Sequence, residues 1–209
     1  YSGLNGKTKN DFGKGSPYIP YLRIFEDGKI DLSRMDYVSI DKHERQNSVQ
    51  VGDLFFTTSS ETINEVGMTS VLIDKPTEKT YLNSFCFGFR LSNFDDLTPE
   101  YARYLFRSLK VRKDISLLGQ GSTRYNLPKT ILFKKLFVDV PDIPYQQKIA
   151  KILNTIDAVI EKTEHAIAKY QAIKKGMMHD LFTRGIDLKT GQLRPSFDDA
   201  PELYKESVL

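Results

Sequence analysis

The most regular alternation of apolar and polar positions lies after Pro144. Ile149, Ile156, Thr163, Tyr170 and Met177 recur every seven residues. Ile152, Val159, Ala166 and Ile173 follow three residues behind the first four, and Leu153, Ile160, Ile167 and Leu181 lie at the fourth position. Residues 145–182 contain no Pro, and their one Gly is Gly176. The spacing predicts a single helix there, roughly 57 Å long at 1.5 Å per residue. Its stripe is broader than a two-position seam, which calls for an antiparallel helix pair or a small bundle. The expected pairing face is Ile149, Ile152, Leu153, Ile156, Val159, Ile160, Ile167, Tyr170, Ile173, Met177 and Leu181, with Thr163 and Lys174 interrupting it and fixing register. The alternative, a helix lying against its own domain, is disfavoured by a length greater than such a domain can cover.

Upstream the signals are short and mixed. Runs at 19–25, 53–58, 70–74 and 84–91 are apolar, β-branched or aromatic and bounded by Gly, Pro, Asp or Ser, and a further run at 133–140 stops at Pro141; all five read as strands. Thr98-Pro99-Glu100 reads as a helix start, with an N-cap, a first-turn proline and a first-turn acid. Tyr101, Tyr104, Leu105 and Leu109 then recur at helical spacing, placing Arg103, Arg107 and Lys110 on the outer side. The expected fold class is an α/β (α+β) domain over 1–143, then a long α-helix over 144–184 pairing with a partner as an antiparallel coiled coil, then an extended connector or tail over 185–209.

Composition narrows the function. The 209 residues are 40% hydrophobic and include 13 Phe and 11 Tyr, enough for one sizeable core. No stretch approaches the roughly 20 apolar residues of a membrane span, so no membrane partner is expected. Cys86 is the single cysteine, and the first residues lack a basic region followed by an apolar run. A reducing cytoplasm is therefore the expected compartment. With His43, His165 and His179 as the only histidines, no ligand pair stands at metal spacing and no metal is expected. The net charge of +3 is modest, but residues 101–151 hold eleven basic side chains against three acids, a local +8. Beyond Gly185 the balance reverses, with Asp187, Asp198, Asp199, Glu202 and Glu206 outnumbering Lys189, Arg194 and Lys205.

Catalytic spacings are missing. No FxGxG turn follows a strand, and no NPPY or DPPY tetrad is present to grip a flipped adenine. Gly13-Lys14-Gly15 lacks the spacing of a phosphate-binding loop. An acid-x-Lys pattern of nuclease type at Asp187-Leu188-Lys189 lies 45 residues beyond Asp142, across the long helix.

Three segments, in this order, carry a resemblance. They are Gly119-Gln120-Gly121-Ser122-Thr123-Arg124-Tyr125-Asn126-Leu127, then an expected strand with a Pro-rich connector, then Gln146-Gln147-Lys148-Ile149-Ala150-Lys151-Ile152-Leu153. Together they make the chain resemble a specificity (S) subunit of a type I restriction-modification system. Gly52-Asp53-Leu54-Phe55-Phe56-Thr57-Thr58-Ser59-Ser60-Glu61 is similar to the strand and turn of a target recognition domain in that family, and Asp180-Leu181-Phe182-Thr183-Arg184-Gly185 is similar to the end of its helical spacer. Residues 191–206 resemble the connector to a second recognition domain. Two positions depart from the family pattern: Tyr145 stands where Glu commonly precedes the Gln pair, and the chain opens at Tyr1-Ser2-Gly3 without a Trp-containing lead-in strand, so the natural N-terminus is expected to lie further upstream.

The resemblance implies a noncatalytic DNA-specificity subunit that reads one half of a bipartite target and scaffolds adenine methyltransferase (M) and restriction (R) subunits. Its expected partners are double-stranded DNA, those subunits, and either a second copy or the second half of a longer S subunit through the long helix. No cofactor is expected on this chain; S-adenosylmethionine, ATP and Mg belong to the partners. Arg and Lys can chelate guanine, Asn and Gln can pair with adenine, and Ser, Thr and Lys hold phosphates. The candidate DNA-binding residues are accordingly Lys7, Lys9, Asn10 and Lys14 in a basic loop, Ser59, Ser60 and Glu61 in a turn, and Gln120, Ser122, Thr123, Arg124, Tyr125, Asn126 and Lys129 in and after the glycine-flanked loop. Each set also reads as an ordinary structural turn. Two other readings stand beside this one: a coiled-coil dimerisation scaffold that never touches DNA, and a free-standing nuclease.

Overall fold

The computed structural model describes residues 1–205; Glu206, counted above in the acidic tail and the connector resemblance, lies outside the described residues. The chain divides into two compact units, Tyr1–Ile152 and Leu153–Leu209.

The first unit is organised by β3 (Leu54–Thr57), all four of whose residues are buried. Side chains alternate across a strand, so Leu54 and Phe56 enter one core while Phe55 enters another. This is why the run reads as continuously apolar: both faces are covered. Antiparallel partners flank it, β5 (Thr69–Val71) on one side and β7 (Cys86–Phe89) on the other. A second sheet places β1 (Phe12–Ile19) between β2 (Asp36–Val38) and β6 (Tyr81–Leu82), parallel to β6 and antiparallel to β2. α1 (Tyr21–Glu26) follows β1, and α2 (Pro99–Leu105), α3 (Leu109–Leu117), α4 (Lys129–Lys135) and the long α5 (Ile143–Thr183) follow β7. The larger core joins Leu54 and Phe56 to Leu105, Phe106, Ile115 and Leu132 of the helices; the smaller joins Phe55 to Ile19, Ile24, Leu72 and Cys86. Burial pushes the Cys86 thiol far above its ordinary value.

The strand expected at 53–58 is β3, and those at 70–74 and 84–91 contract to β5 and β7. Two others are replaced. Residues 19–25 hold only the end of β1, because Pro20 carries no N–H for a ladder and adopts extended backbone angles at the N-cap of α1. Ile24 is buried on that helix, and so short an apolar run cannot be told from a strand by periodicity. The run at 133–140 lies in the end of α4 and an irregular stretch after it, since Pro128 starts a helix that buries Leu132. The helix starting at Thr98 also breaks at Phe106, and Ser108 caps a new one, so Leu109 is 92% exposed instead of continuing the apolar face.

Arg107, expected to point outward, turns in. Its guanidinium donates to the carbonyls of Ile24, Phe25 and Glu26 at the C-terminal end of α1 and to Thr69 O, at 2.7–3.0 Å. Those are the orphan acceptors of a helix end, where a cation is favoured. Arg112 likewise donates to the carbonyls of Asn64, Val66 and Gly67. Burial pushes Arg107 down to about 10 and lowers Arg112, leaving Arg107 charged at neutral pH. Lys110 is paired with Asp139. Part of the +8 segment is therefore scaffolding rather than surface.

Asp53 is fully buried on the Gly-Asp strand, where it accepts from Arg90 Nε at 2.7 Å, Arg90 Nη2 at 2.6 Å, the Gln50 amide at 2.8 Å and the Tyr1 hydroxyl at 2.5 Å. Gly52 before it has φ +86°, and a Cβ there would sit 2.2 Å from the Phe94 ring.

The helix α5 starts at Ile143, one residue before the expected span of 144–184, with Pro144 in its first turn. Gln146 is 0% exposed; its Oε1 accepts from Thr98 N at 2.9 Å and its Nε2 donates to Asp96 O and Pro141 O, both at 2.7 Å. One side-chain amide thus ties the start of α5 to the start of α2. Beyond it only Ala150 is buried on this helix. The described residues after the helix are folded rather than extended. Gly185 ends α5 at φ +73°, Ile186 bridges Leu193 in antiparallel fashion, and the Phe197 and Tyr204 rings meet edge to face 5.7 Å apart. Apolar side chains at both ends of this segment supply a local contact that charge counting does not register.

Gln146→Leu keeps volume but strands the Thr98 amide and two carbonyls, and each unsatisfied buried group costs about 1–3 kcal/mol. The expected outcome is a loss of about 3 kcal/mol of stability, read as a lower urea midpoint at unchanged m-value.

Candidate nucleic-acid interface

Past Thr57 the chain bends at Thr58 and continues into β4 (Ser59–Ser60). There it meets β8 (Tyr125–Asn126), pairing Ser59 with Asn126 and Ser60 with Tyr125. Two candidate segments, separated by about sixty residues in sequence, are thereby one antiparallel sheet. The pairing extends on both sides. Leu127 N donates to Thr58 O at 2.8 Å, Thr58 N to Phe85 O at 2.9 Å, and the Gln120 and Asn126 amides exchange bonds of 2.8 and 2.7 Å. Four segments lie side by side, carrying Phe85, Thr58–Ser60, Tyr125–Leu127 and Gln120.

The loop between Gln120 and Asn126 closes because Gly121 adopts φ +131°, and a Cβ there would stand 2.1 Å from Arg124 O. An L side chain fits neither the angle nor the space. Arg124 reaches back to Ser59, its Nε and Nη2 donating to Ser59 Oγ at 3.1 and 2.9 Å. Its Nη1 makes no hydrogen bond among the described residues. Ser59 O accepts from the Tyr21 hydroxyl at 2.7 Å, and burial raises the Tyr21 phenol above its ordinary value, so it remains a donor there.

The structure separates the candidate residues by position. Gln120, Ser122, Thr123, Arg124, Asn126, Glu61 and Lys129 are exposed, and Lys129 Nζ donates to Ser2 Oγ at 2.9 Å. Tyr125 is half-buried and packs against the larger core. Ser59 and Ser60 are buried: the first holds Arg124, and Ser60 Oγ accepts from Thr62 N at 3.2 Å. In the basic loop, Lys7 is spoken for, paired with Glu44 at 2.5 Å with a side chain only 7% exposed. Lys9 and Asn10 are exposed on a turn held by the Asp11 carboxylate accepting from Thr8 N and Oγ1 at 2.7 and 2.8 Å, whereas Lys14, also exposed, lies not in a loop but in strand β1. Those bonds hold the Asp11 carboxyl below its ordinary range. Among the described residues no strand pairing or hydrogen bond links this loop to the β4–β8 sheet. Tyr21, Thr58 and Phe85, which border the sheet, were not candidates; their neighbourhood is created by long-range pairing alone. No group of three or more metal-ligating side chains clusters among the described residues, and no helix there is long and apolar enough to cross a membrane.

The family model of the type I restriction modification DNA specificity domain matches residues 6–170. The chain belongs to this family. A Methanocaldococcus jannaschii protein assigned as the type I restriction enzyme MjaX specificity subunit is 28% identical over 188 residues, covering 88% of this chain and 43% of the relative. The MjaVIII specificity subunit of the same organism is 34% identical over 84 residues, 40% of this chain and 20% of the relative. In fold, this S-family chain is similar to the S subunit of a type I restriction-modification system from M. genitalium, with a TM-score of 0.54 and 16% identity over 87% of this chain and 42% of that one. A chain from a structure on the assembly and conformational transition of the type I system gives a TM-score of 0.54 at 18% identity, over 82% of this chain and 39% of the other. The chain thus spans less than half the length of these relatives. The mixed α/β unit followed by one long helix is the architecture they share.

Gly121→Ala in this S-family chain forces a Cβ into the Arg124 carbonyl at a positive φ, a strain of about 1–3 kcal/mol. Hydrogen exchange should show loss of protection at the Gln120 and Asn126 amides while the β3 amides stay protected.

Proposed function

We propose that this chain is a noncatalytic reading module of a type I specificity subunit, recognising one half of a bipartite DNA target with the edge of the β4–β8 sheet. The observation that carries the proposal is the convergence on that sheet of Arg124, Asn126, Gln120 and Glu61, four exposed side chains whose donors and acceptors match base edges. A two-stranded ribbon fits the major groove, which is about 12 Å wide. Ser59 fixes Arg124 from behind, so its free Nη1 is preorganised instead of being ordered at the expense of binding free energy. Lys9 and Lys14 supply phosphate contacts that position without specifying.

The long helix provides the second half of the proposal. Ile152, Ile156, Val159, Ile160, Ile167, Tyr170 and Met177 are each at least half exposed, although they form one apolar stripe. Reflection about Thr163 exchanges Ile149 with Met177, Leu153 with Ile173, Ile156 with Tyr170 and Val159 with Ile167. A stripe in which these four pairs exchange when the helix is reversed, with only Ile152 falling on the interrupting Lys174, is suited to an antiparallel partner, whether a second copy or the matching helix of a longer S subunit. Such a pair holds two readers at a spacing set by helix length. M and R subunits, with S-adenosylmethionine, ATP and Mg, would supply the chemistry on this scaffold.

Methylome mapping of a strain with and without this polypeptide tests the reading: one bipartite motif should lose its adenine methylation, and an unchanged methylome refutes it. In the assembled complex, Arg124→Ala should cost about 1–3 kcal/mol of discrimination at one base pair, seen as a relaxed motif at that position. Lys9→Ala should weaken all sequences alike and lower the slope of log K against log salt by about 1. Inserting seven residues into α5 of both paired helices adds about 10 Å, so the unread gap should lengthen by roughly three base pairs at 3.4 Å each while both half-sites stay the same.

A further inference from the structure

We propose that Phe85 is a specificity-determining residue which packs on the 5-methyl group of a thymine in the half-site; this rests on the DNA-reading assignment above. Phe85 is 58% exposed, yet its backbone is fixed on both sides. Its amide donates to Asn83 Oδ1 at 2.8 Å, and its carbonyl accepts from Thr58 N at 2.9 Å and Thr58 Oγ1 at 2.8 Å. The next residue, Cys86, is buried, so the turn is anchored in the core. Three other exposed rings are engaged elsewhere: Phe89 and Phe133 lie 5.2 Å apart, and Phe94 stands over Gly52. Phe85 has no ring partner among the described residues, and it borders the polar sheet through Thr58.

Neighbouring strands stand about 4.8 Å apart, so the four segments from Phe85 to Gln120 span about 14 Å, close to the ~12 Å major groove. Across that width Arg124, Asn126, Gln120 and Glu61 offer donors and acceptors for guanine, adenine and cytosine edges. None of them senses the one feature that sets thymine apart there, its methyl group, for which the groove code uses an apolar contact. Phe85 provides such a surface at the patch, held rigid enough to discriminate.

The test uses the assembled complex, after its target has been mapped, with duplexes in which each thymine of the half-site is replaced singly by deoxyuridine, a change that removes only the methyl. One replacement should weaken wild-type binding about fourfold, the worth of one buried methyl group, and leave Phe85→Ala unaffected. Phe85→Leu, which keeps an apolar surface, should retain a methyl effect and controls for folding. A half-site without thymine, a wild type indifferent to every replacement, or a Phe85→Ala variant with undiminished sensitivity each overturns the role of Phe85 alone. Wild-type protein that discriminates among no sequences overturns the DNA-reading assignment itself.

Discussion

A strand buried on both faces has to surrender its side chains to two cores, and it can offer chemistry only where it leaves them. Residues 54–60 make that transition within one stretch of backbone. Leu54 to Thr57 fill the cores, Thr58 turns outward, and Ser59 and Ser60 pair with the strand that returns from the glycine-flanked loop. The position of the candidate reading surface is therefore set by a strand all of whose residues are buried. Side chains on such a strand keep their geometry without a ligand, as a base-reading surface requires.

The positive charge of 101–151 serves two purposes that its sequence does not distinguish. Arg107 and Arg112 are consumed by backbone carbonyls, where a guanidinium with five donors satisfies several acceptors that would otherwise be buried unpaired. Arg124, with the same side chain, rests on a serine hydroxyl and keeps part of its donor set exposed. Burial and the nearest acceptors decide the difference.

The long helix poses a complementary problem. Its first turns are sealed by the Gln146 amide, but most of its apolar stripe is at least half exposed among the described residues. An exposed apolar face of that length marks an interaction surface. The exchange of its apolar pairs about Thr163 suits the antiparallel partner proposed above.

What the sequence determined by itself is whatever depends on local periodicity and on the order of motifs: the long helix, the α/β character of the first unit, and the family to which the chain belongs. The β3 run and the Thr98-Pro99 helix start were legible for the same reason. The strands expected at 19–25 and 133–140 were not, because short apolar runs beside a proline fit a helix turn as well as a strand, and only the packing of Ile24 and Leu132 chose between them. The site was legible as two unrelated turns. Tertiary structure decided that they are one sheet, that Ser59 and Ser60 support it while Arg124 and Asn126 are presented by it, and that Phe85 stands at its border. Pairing between segments more than sixty residues apart leaves no periodic trace in either, since each strand satisfies its hydrogen bonds with a partner the local sequence does not contain.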